Sequence, residues 1–164
     1  MTLTRSFKET VKARAERDAA YLAGELETNF ASFACLADAL AHRMRAQGSG
    51  TLCLVGSVAG DRASATQTAY AAAKAGIDAY ARGLRIACRG SGVHVVVAKP
   101  GPIATPRTAH LRPGPLWSTA DAAGGAIVAG IAAKREVVYA PAYWRPIMAI
   151  VRLLPDAIAA RLEA

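Results

Sequence analysis

Paired cysteines, long apolar runs and acidic charge are what this chain has least of. Its three cysteines, Cys35, Cys53 and Cys88, form no C-x-x-C pair, and an odd count makes a poor disulfide framework. Each sits in an apolar stretch, where a free thiol behaves as a small hydrophobe. A reducing cytoplasm is the compartment expected, and no metal site is expected. No uninterrupted run reaches the roughly 18 apolar residues of a spanning helix. The opening "MTLTRSFKETVKARAERD" has no apolar core of a secretory signal. Acidic residues number 12 against 20 Lys and Arg, a formal net charge of +8. The arginines fall singly, as at Arg43, Arg62, Arg82, Arg107 and Arg135, without interleaved aromatics, so nucleic acid is not an expected partner. Glycine is scarce at the start as well. Before Gly48 there is only Gly24, inside a helical stretch, and no G-x-G-x-x-G turn stands upstream to cradle a phosphate.

What is present is a chain of 164 residues, 53% hydrophobic and 20% charged, enough to bury the core of one domain. Residues 5 to 23 are charged and alanine-rich and read as helix. From Glu25 to Ala46 the residues Leu26, Phe30, Phe33, Leu36, Ala37, Leu40 and Met44 recur at helical spacing, and "QGSG" stops that second helix. "TLCLVGS" (51 to 57) is a short apolar run suited to a strand buried on both faces. A helix is expected from about Thr66 to Cys88, a Val-rich strand over 93 to 100, and a Pro- and Gly-rich loop over 101 to 115. Then come a helix over 118 to 133 capped by Ser118 or Thr119, a strand over 135 to 141, and a terminal apolar helix over 145 to 162 broken near Pro155. Alternation of this kind predicts an α/β fold with parallel strands and helices on the faces. Ligands of such sheets bind beyond the carboxyl ends of the strands, where Ser57 and "PGPIAT" both fall.

"SVAGDRASATQTAYAAAK" (57 to 74) carries the chemistry. Tyr70 and Lys74, four apart on a helix, share one face. A free phenol titrates near about pH 10, and a neighbouring ammonium favours the phenolate, so the pair can move a proton to or from a substrate oxygen at neutral pH. Ser57 at the strand tip can hold the same oxygen by a hydrogen bond. The triplet suits carbonyl–alcohol interconversion, with hydride attacking carbon while Tyr70 supplies the proton. A Tyr and a Lys at this spacing alone would be ordinary surface decoration. Specificity comes from the conjunction of a serine ending a buried strand, the tyrosine 13 residues on, the lysine at i+4 and a Pro-Gly loop closing the next strand.

With these residues, the chain resembles the short-chain dehydrogenase/reductase family over about residues 20 to 141. "LVGSVAG" looks like the family's serine strand end and "AYAAAKAG" like its Y-x-x-x-K helix. The resemblance implies that Ser57 positions the substrate oxygen and that Tyr70 is the general acid/base. Lys74 would assist Tyr70 and bind the nicotinamide ribose hydroxyls. "ETNF" resembles the segment bearing the family's catalytic asparagine, so Asn29 would hold a water linking Lys74 to solvent. "KPGPIAT" resembles the cofactor loop: Pro100 and Gly101 lead into it, the backbone at Ile103 would take the carboxamide, and Thr105 would reach the phosphates. The cofactor implied is NAD or NADP. "GSVAGDR", "GVHVVVAKPG" and "VVYAPAYWRPIMAIVRLLP" further resemble the reductase branch acting on decaprenylphosphoryl-2-keto-ribose, which implies a small-molecule or lipid-linked sugar substrate.

The family's dinucleotide-binding half precedes these motifs and is not in this sequence. The fold expected is therefore the C-terminal portion of a Rossmann-like doubly wound parallel sheet, lacking the N-terminal βαβ units, with residues 1–18 an atypical leader truncating or replacing them. Residues 19–142 form the partial catalytic domain and 143–164 the C-terminal apolar helix. The first strand should show an unpaired edge and an apolar face, and cofactor binding should be impaired. The alternative is a non-catalytic remnant that pairs with a full-length relative. Homo-oligomer formation through helices 25–46 and 66–88 and peripheral membrane contact through 143–164 complete the expectations.

Overall fold

The structure, a computed structural model, describes residues 18–163. Residues 5–17 of the first expected helix lie outside that range. Asp18 caps the first described helix, its carboxylate accepting from the Ala20 and Tyr21 amides. The two helices expected in this region are one rod: α1 (Ala19–Leu26), a π turn (Glu27–Ala31) and α2 (Ser32–Gln47). Inward positions run through Glu25, Leu26, Asn29, Phe30 and Ala31, widening across the π turn, and then return to single helical spacing at Ala34, Ala37 and Ala41. Gly48, at φ 78°, ends the rod in the left-handed conformation that glycine adopts at little cost.

β1 (Gly50–Val55), α3 (Thr68–Ala87), β2 (Val93–Pro100), α4 (Ala120–Ala132) and β5 (Val137–Ala140) build the layered core. Between β2 and α4 lie β3 (Ile103–Ala104) and β4 (Ser118–Thr119), a two-stranded parallel ladder that periodicity does not reveal because each strand has only two residues. The main sheet is parallel in the order β1-β2-β5, with Leu52 opposite Val95 and Lys99 opposite Tyr139. The expected terminal helix is two, α5 (Trp144–Val151) and α6 (Asp156–Glu163), interrupted at Pro155 as anticipated.

The main core lies between β1–β2 and the pair α2–α3. Leu52, Leu54, Val95 and Val97 point one way, as alternate residues of a strand must, and meet Ala37, Ala41, Ile77, Ala81 and Leu84. Alanine dominates the helix side, so the helices approach closely. Val96, Ala98 and Val138 point to the opposite face, where Gly130 of α4 lies so near Val138 that a β-carbon would overlap it. Both crossovers step the same way along the sheet, yet α3 and α4 lie on opposite faces. The two crossovers therefore have opposite hands, against the strong right-handed preference of such connections. β2 is the strand buried on both faces. On β1 the second face is open, with Val55 45% exposed, which meets the expectation of an uncovered apolar face there. Of the three free cysteines only Cys88 is buried; Cys53 is half-buried, and Cys35 is exposed rather than packed, because it points away from the rod's inward stripe.

A buried ionic knot crosses this framework. Lys99, 4% exposed, projects from β2 toward α3. Its ammonium meets Asp61 Oδ1 at 2.5 Å and also the Asp78 carboxylate of α3. Tyr139 of β5 donates to Asp61 Oδ2 at 2.6 Å, and Lys99 Nζ stands 5.6 Å from the Tyr139 ring centroid. Burial, followed by the hydrogen bond to Asp61 and that group's charge, pushes the Tyr139 phenol well above the usual tyrosine range.

Two outcomes follow from this packing. Ile77→Ala, at a site 0% exposed, should lose about 2–5 kcal/mol of stability in urea unfolding, whereas Ile86→Ala, 74% exposed, should change it by about 0.5 kcal/mol or less. Tyr139 should remain protonated at about pH 11, where an ordinary phenol ionises, so wild type and Tyr139→Phe should show equal phenolate absorbance there. A folded pKa raised in this way gives stability that is full below about pH 10 and is lost as the pH rises through the folded value.

Candidate functional site

β1 ends at Val55 and the chain turns at Gly56, whose amide donates to Ala98 O. Ser57 lies two residues beyond the strand, at the N-cap of a 3-10 turn (Val58–Gly60), with its Oγ accepting from the Ala59 amide at 3.1 Å. That turn sits directly on α3. A β-carbon on Gly60 would meet the Lys74 carbonyl carbon at 2.7 Å, so the turn bearing Ser57 and the helix turn bearing Lys74 touch backbone to backbone. The knot fixes the same junction from the other side, since Asp61 follows the turn directly and Lys99 joins it to Asp78 of α3.

On α3, Tyr70 is half-buried and Lys74 is buried. The Lys74 ammonium donates to the Val55 carbonyl at the end of β1, at 3.1 Å. It stands 5.6 Å from the Tyr70 ring centroid and 5.2 Å from that of Phe33. Burial holds its pKa below the ordinary lysine value of 10.5. The turn bearing Ser57 and the Lys74 side chain thus meet where β1 joins α3, with Tyr70 one helical turn before Lys74.

Asn29 occupies the middle of the π turn, a distortion often found at functional positions. Its side-chain amide turns back along the rod and donates to the Glu25 carbonyl and carboxylate, both at 3.2 Å. The π turn packs on α3 just past Lys74, where a β-carbon on Gly76 would meet the Phe30 ring at 2.9 Å.

The loop after β2 starts at Pro100 and Gly101. The Gly101 amide donates to Ala140 O, and the Trp144 indole lies where a Gly101 side chain would be. Ile103 is held in the β3–β4 ladder opposite Ser118, and its carbonyl accepts from Thr108 Oγ1 at 2.7 Å. Thr105 is engaged with Thr108: its amide donates to Thr108 Oγ1 and the two hydroxyls lie 3.1 Å apart. Two buried polar atoms beside this loop, Trp144 Nε1 and Ser118 Oγ, have no hydrogen-bond partner among the described residues.

Sequence reasoning missed the Asp61, Asp78, Lys99 and Tyr139 group. The available signal was a lysine inside the otherwise apolar "VHVVVAKP" and a tyrosine inside "VVYAP", both in strands read as buried. A charge there requires a partner.

Comparison with known proteins agrees with this architecture. The family described as short chain dehydrogenase matches residues 8–115. An uncharacterized oxidoreductase of Mycobacterium tuberculosis is 36% identical over 144 residues, covering 88% of this chain and 58% of the relative. An uncharacterized oxidoreductase of Streptomyces coelicolor is 38% identical over 119 residues, covering 73% of this chain and 47% of the relative. The chain therefore spans about half to three-fifths of the length of these curated relatives. In fold it is similar to a short chain dehydrogenase from Burkholderia cenocepacia solved in complex with NADP, with TM-score 0.77 at 22% identity over 90% of this chain and 61% of that one. With the family match covering well over half of its length and the parallel sheet and Ser57–Tyr70–Lys74 junction in place, the chain belongs to the short-chain dehydrogenase family.

Proposed function

We propose that this chain carries the proton-transfer site of an NAD- or NADP-dependent carbonyl–alcohol interconversion. The observation that carries the reading is Lys74: a buried ammonium tied to the end of β1 and facing the Tyr70 ring. A nicotinamide cofactor, when bound, supplies or accepts the hydride. In the reducing direction Tyr70 gives its phenolic proton to the substrate oxygen as the carbonyl carbon gains hydride, and Ser57 donates a hydrogen bond to that oxygen. Lys74 keeps a positive charge beside the phenol. Asn29, in the π turn against α3, would hold water on the path between Lys74 and solvent.

The loop after β2 fits the nicotinamide end of such a cofactor. Trp144 Nε1 and Ser118 Oγ are buried groups that a bound amide would satisfy, and the backbone from Pro100 to Ile103 frames them. Thr105, tied to Thr108, would face the phosphate oxygens. The NADP complex of the Burkholderia relative supports this cofactor class.

The substrate inferred is a ketone or secondary alcohol, of the lipid-linked keto-sugar class. The likeness of "GSVAGDR" and "VVYAPAYWRPIMAIVRLLP" to the decaprenylphosphoryl-2-keto-ribose reductase branch supports it. So do Ile150 and Leu153, exposed at the end of α5, as a contact for a polyprenyl tail or membrane surface. Among the described residues no helix is long and apolar enough to cross a membrane. The outer faces of α2 and α3, where Phe33, Leu36 and Ile86 are exposed, are the proposed homo-oligomer surface.

Titration of the 164-residue chain with NADH and NADPH, followed by tryptophan quenching, tests the reading. Weakened but saturable binding is expected, with Tyr70→Phe lowering keto-sugar turnover by about 100-fold or more. No binding up to millimolar cofactor would leave the non-catalytic, partner-pairing reading, which the open face of β1 at Val55 favours.

A second test concerns Lys74. Its carbon NMR titration should have a midpoint below 10.5. Between that midpoint and the unfolded value the unfolded chain binds more protons, so Lys74 adds stability as the pH rises through that window, and Lys74→Met should lose that increment relative to wild type.

A further inference from the structure

The arginines that fall singly along the sequence do not stay apart in the fold. On the side of the sheet that α3 covers, a cavity of about 820 Å³ runs between α3 and α5 over β2 and β5, within the size range of ligand pockets. Its walls carry Arg82 and Arg85 from α3, Arg135 before β5, Arg145 and Arg152 from α5, and Lys99 on its floor. The helical positions are regular: Asp78, Arg82 and Arg85 form one stripe of α3, and Arg145, Ala149 and Arg152 one stripe of α5. Val97 and Val137 supply an apolar floor.

The internal acids do not neutralise this wall. Asp78 is taken by Lys99, and Glu136 pairs with Arg85 at 3.5 Å. Asp61 lies 3.9 Å from Arg152, but its two oxygens already accept from Lys99 and Tyr139. Arg82, Arg135 and Arg145 have no carboxylate within ion-pair distance among the described residues. Four guanidinium groups lacking a dedicated acid face one cavity from two helices and a strand entry. Like charges held together in this way repel, and an anion entering between them relieves the repulsion. Guanidinium forks match phosphate oxygens in pairs, which a lysine cluster would not do.

We propose that this trough binds a phosphate-bearing molecule, at a site on the flank of the sheet and separate from the Ser57–Tyr70–Lys74 junction. The apolar floor takes a non-polar portion next to the phosphate. The source is either a soluble phosphate or a lipid headgroup, and the chemistry recognised is the same.

The test uses the full chain and two probes: calorimetric titration with sodium tripolyphosphate, and flotation with phosphatidylcholine vesicles containing phosphatidic acid. Arg82 and Arg145 are exposed, so Arg82→Gln and Arg145→Gln leave the core intact. Each should weaken binding about fivefold or more, whereas Arg43→Gln, the same charge change on exposed α2, should stay within about twofold. Binding of tripolyphosphate identifies a soluble phosphate as the source, and binding of the vesicles alone identifies a headgroup; either supports the site. Absence of both, or a loss in Arg43→Gln equal to that in Arg145→Gln, would overturn it, since net positive charge alone would then account for any binding. Neither probe involves hydride transfer, so the outcome is independent of the proposed activity.

Discussion

A lysine ammonium inside a sheet cannot stand uncompensated, and the placement of Lys99 constrains everything around it. Desolvating such a group costs several kcal/mol, which only close, well-aligned carboxylates offset. Asp61 and Asp78 meet that need from two different elements, the turn after β1 and the middle of α3. Tyr139 occupies the second oxygen of Asp61. Four segments that are far apart in sequence are thereby held at one point. An apolar core alone would let α3 slide along the sheet by small amounts, because alanine contacts are nearly interchangeable. The charged contacts are directional and define one position.

That position also sets where Ser57 and Lys74 stand. Ser57 precedes Asp61 by four residues, and Lys74 precedes Asp78 by four. The knot and the reacting residues are adjacent turns of the same two segments, with Gly60 letting the backbones touch between them. Core packing sets the distance between α3 and β1, and the knot sets the register. Lys74 then reaches the Val55 carbonyl without strain being invoked. Two lysines on neighbouring elements, Lys99 of β2 and Lys74 of α3, thus have different partners: two carboxylates for one and a backbone carbonyl for the other.

How much of this was legible in the sequence depended on whether the signal was local. β2 was bounded correctly at 93 to 100 because a valine run between glycine and proline has one plausible reading. Ser57, Tyr70 and Lys74 were singled out by spacing alone, and Thr119 was legible through its capping position. The two-residue strands were too short to carry a period. The rod was read as two helices, parted at Gly24, because the alanine-rich stretch before that glycine differs in composition from the apolar stripe after it, although the backbone from Ala19 to Gln47 is continuous. Pairings across 38 and 78 residues, Lys99 to Asp61 and Tyr139 to Asp61, leave no periodic trace. Arginines at 82, 135 and 145 looked dispersed for the same reason: proximity in the fold comes from two crossovers, which linear spacing does not encode.

The π turn at Glu27–Ala31 gives the rod a phase shift. Its inward stripe widens across the turn, where Asn29, Phe30 and Ala31 are all half-buried, and is otherwise helical. A π turn of this kind is the footprint of a single extra residue within an α-helix. Removing one residue there would leave a rod that is still helical and still alanine-rich, yet its leading segment would be rotated by about 100° relative to α3. Tolerance to length change is thus uneven along one uninterrupted helix: the π turn is the place where the rod's phase is set against its neighbour.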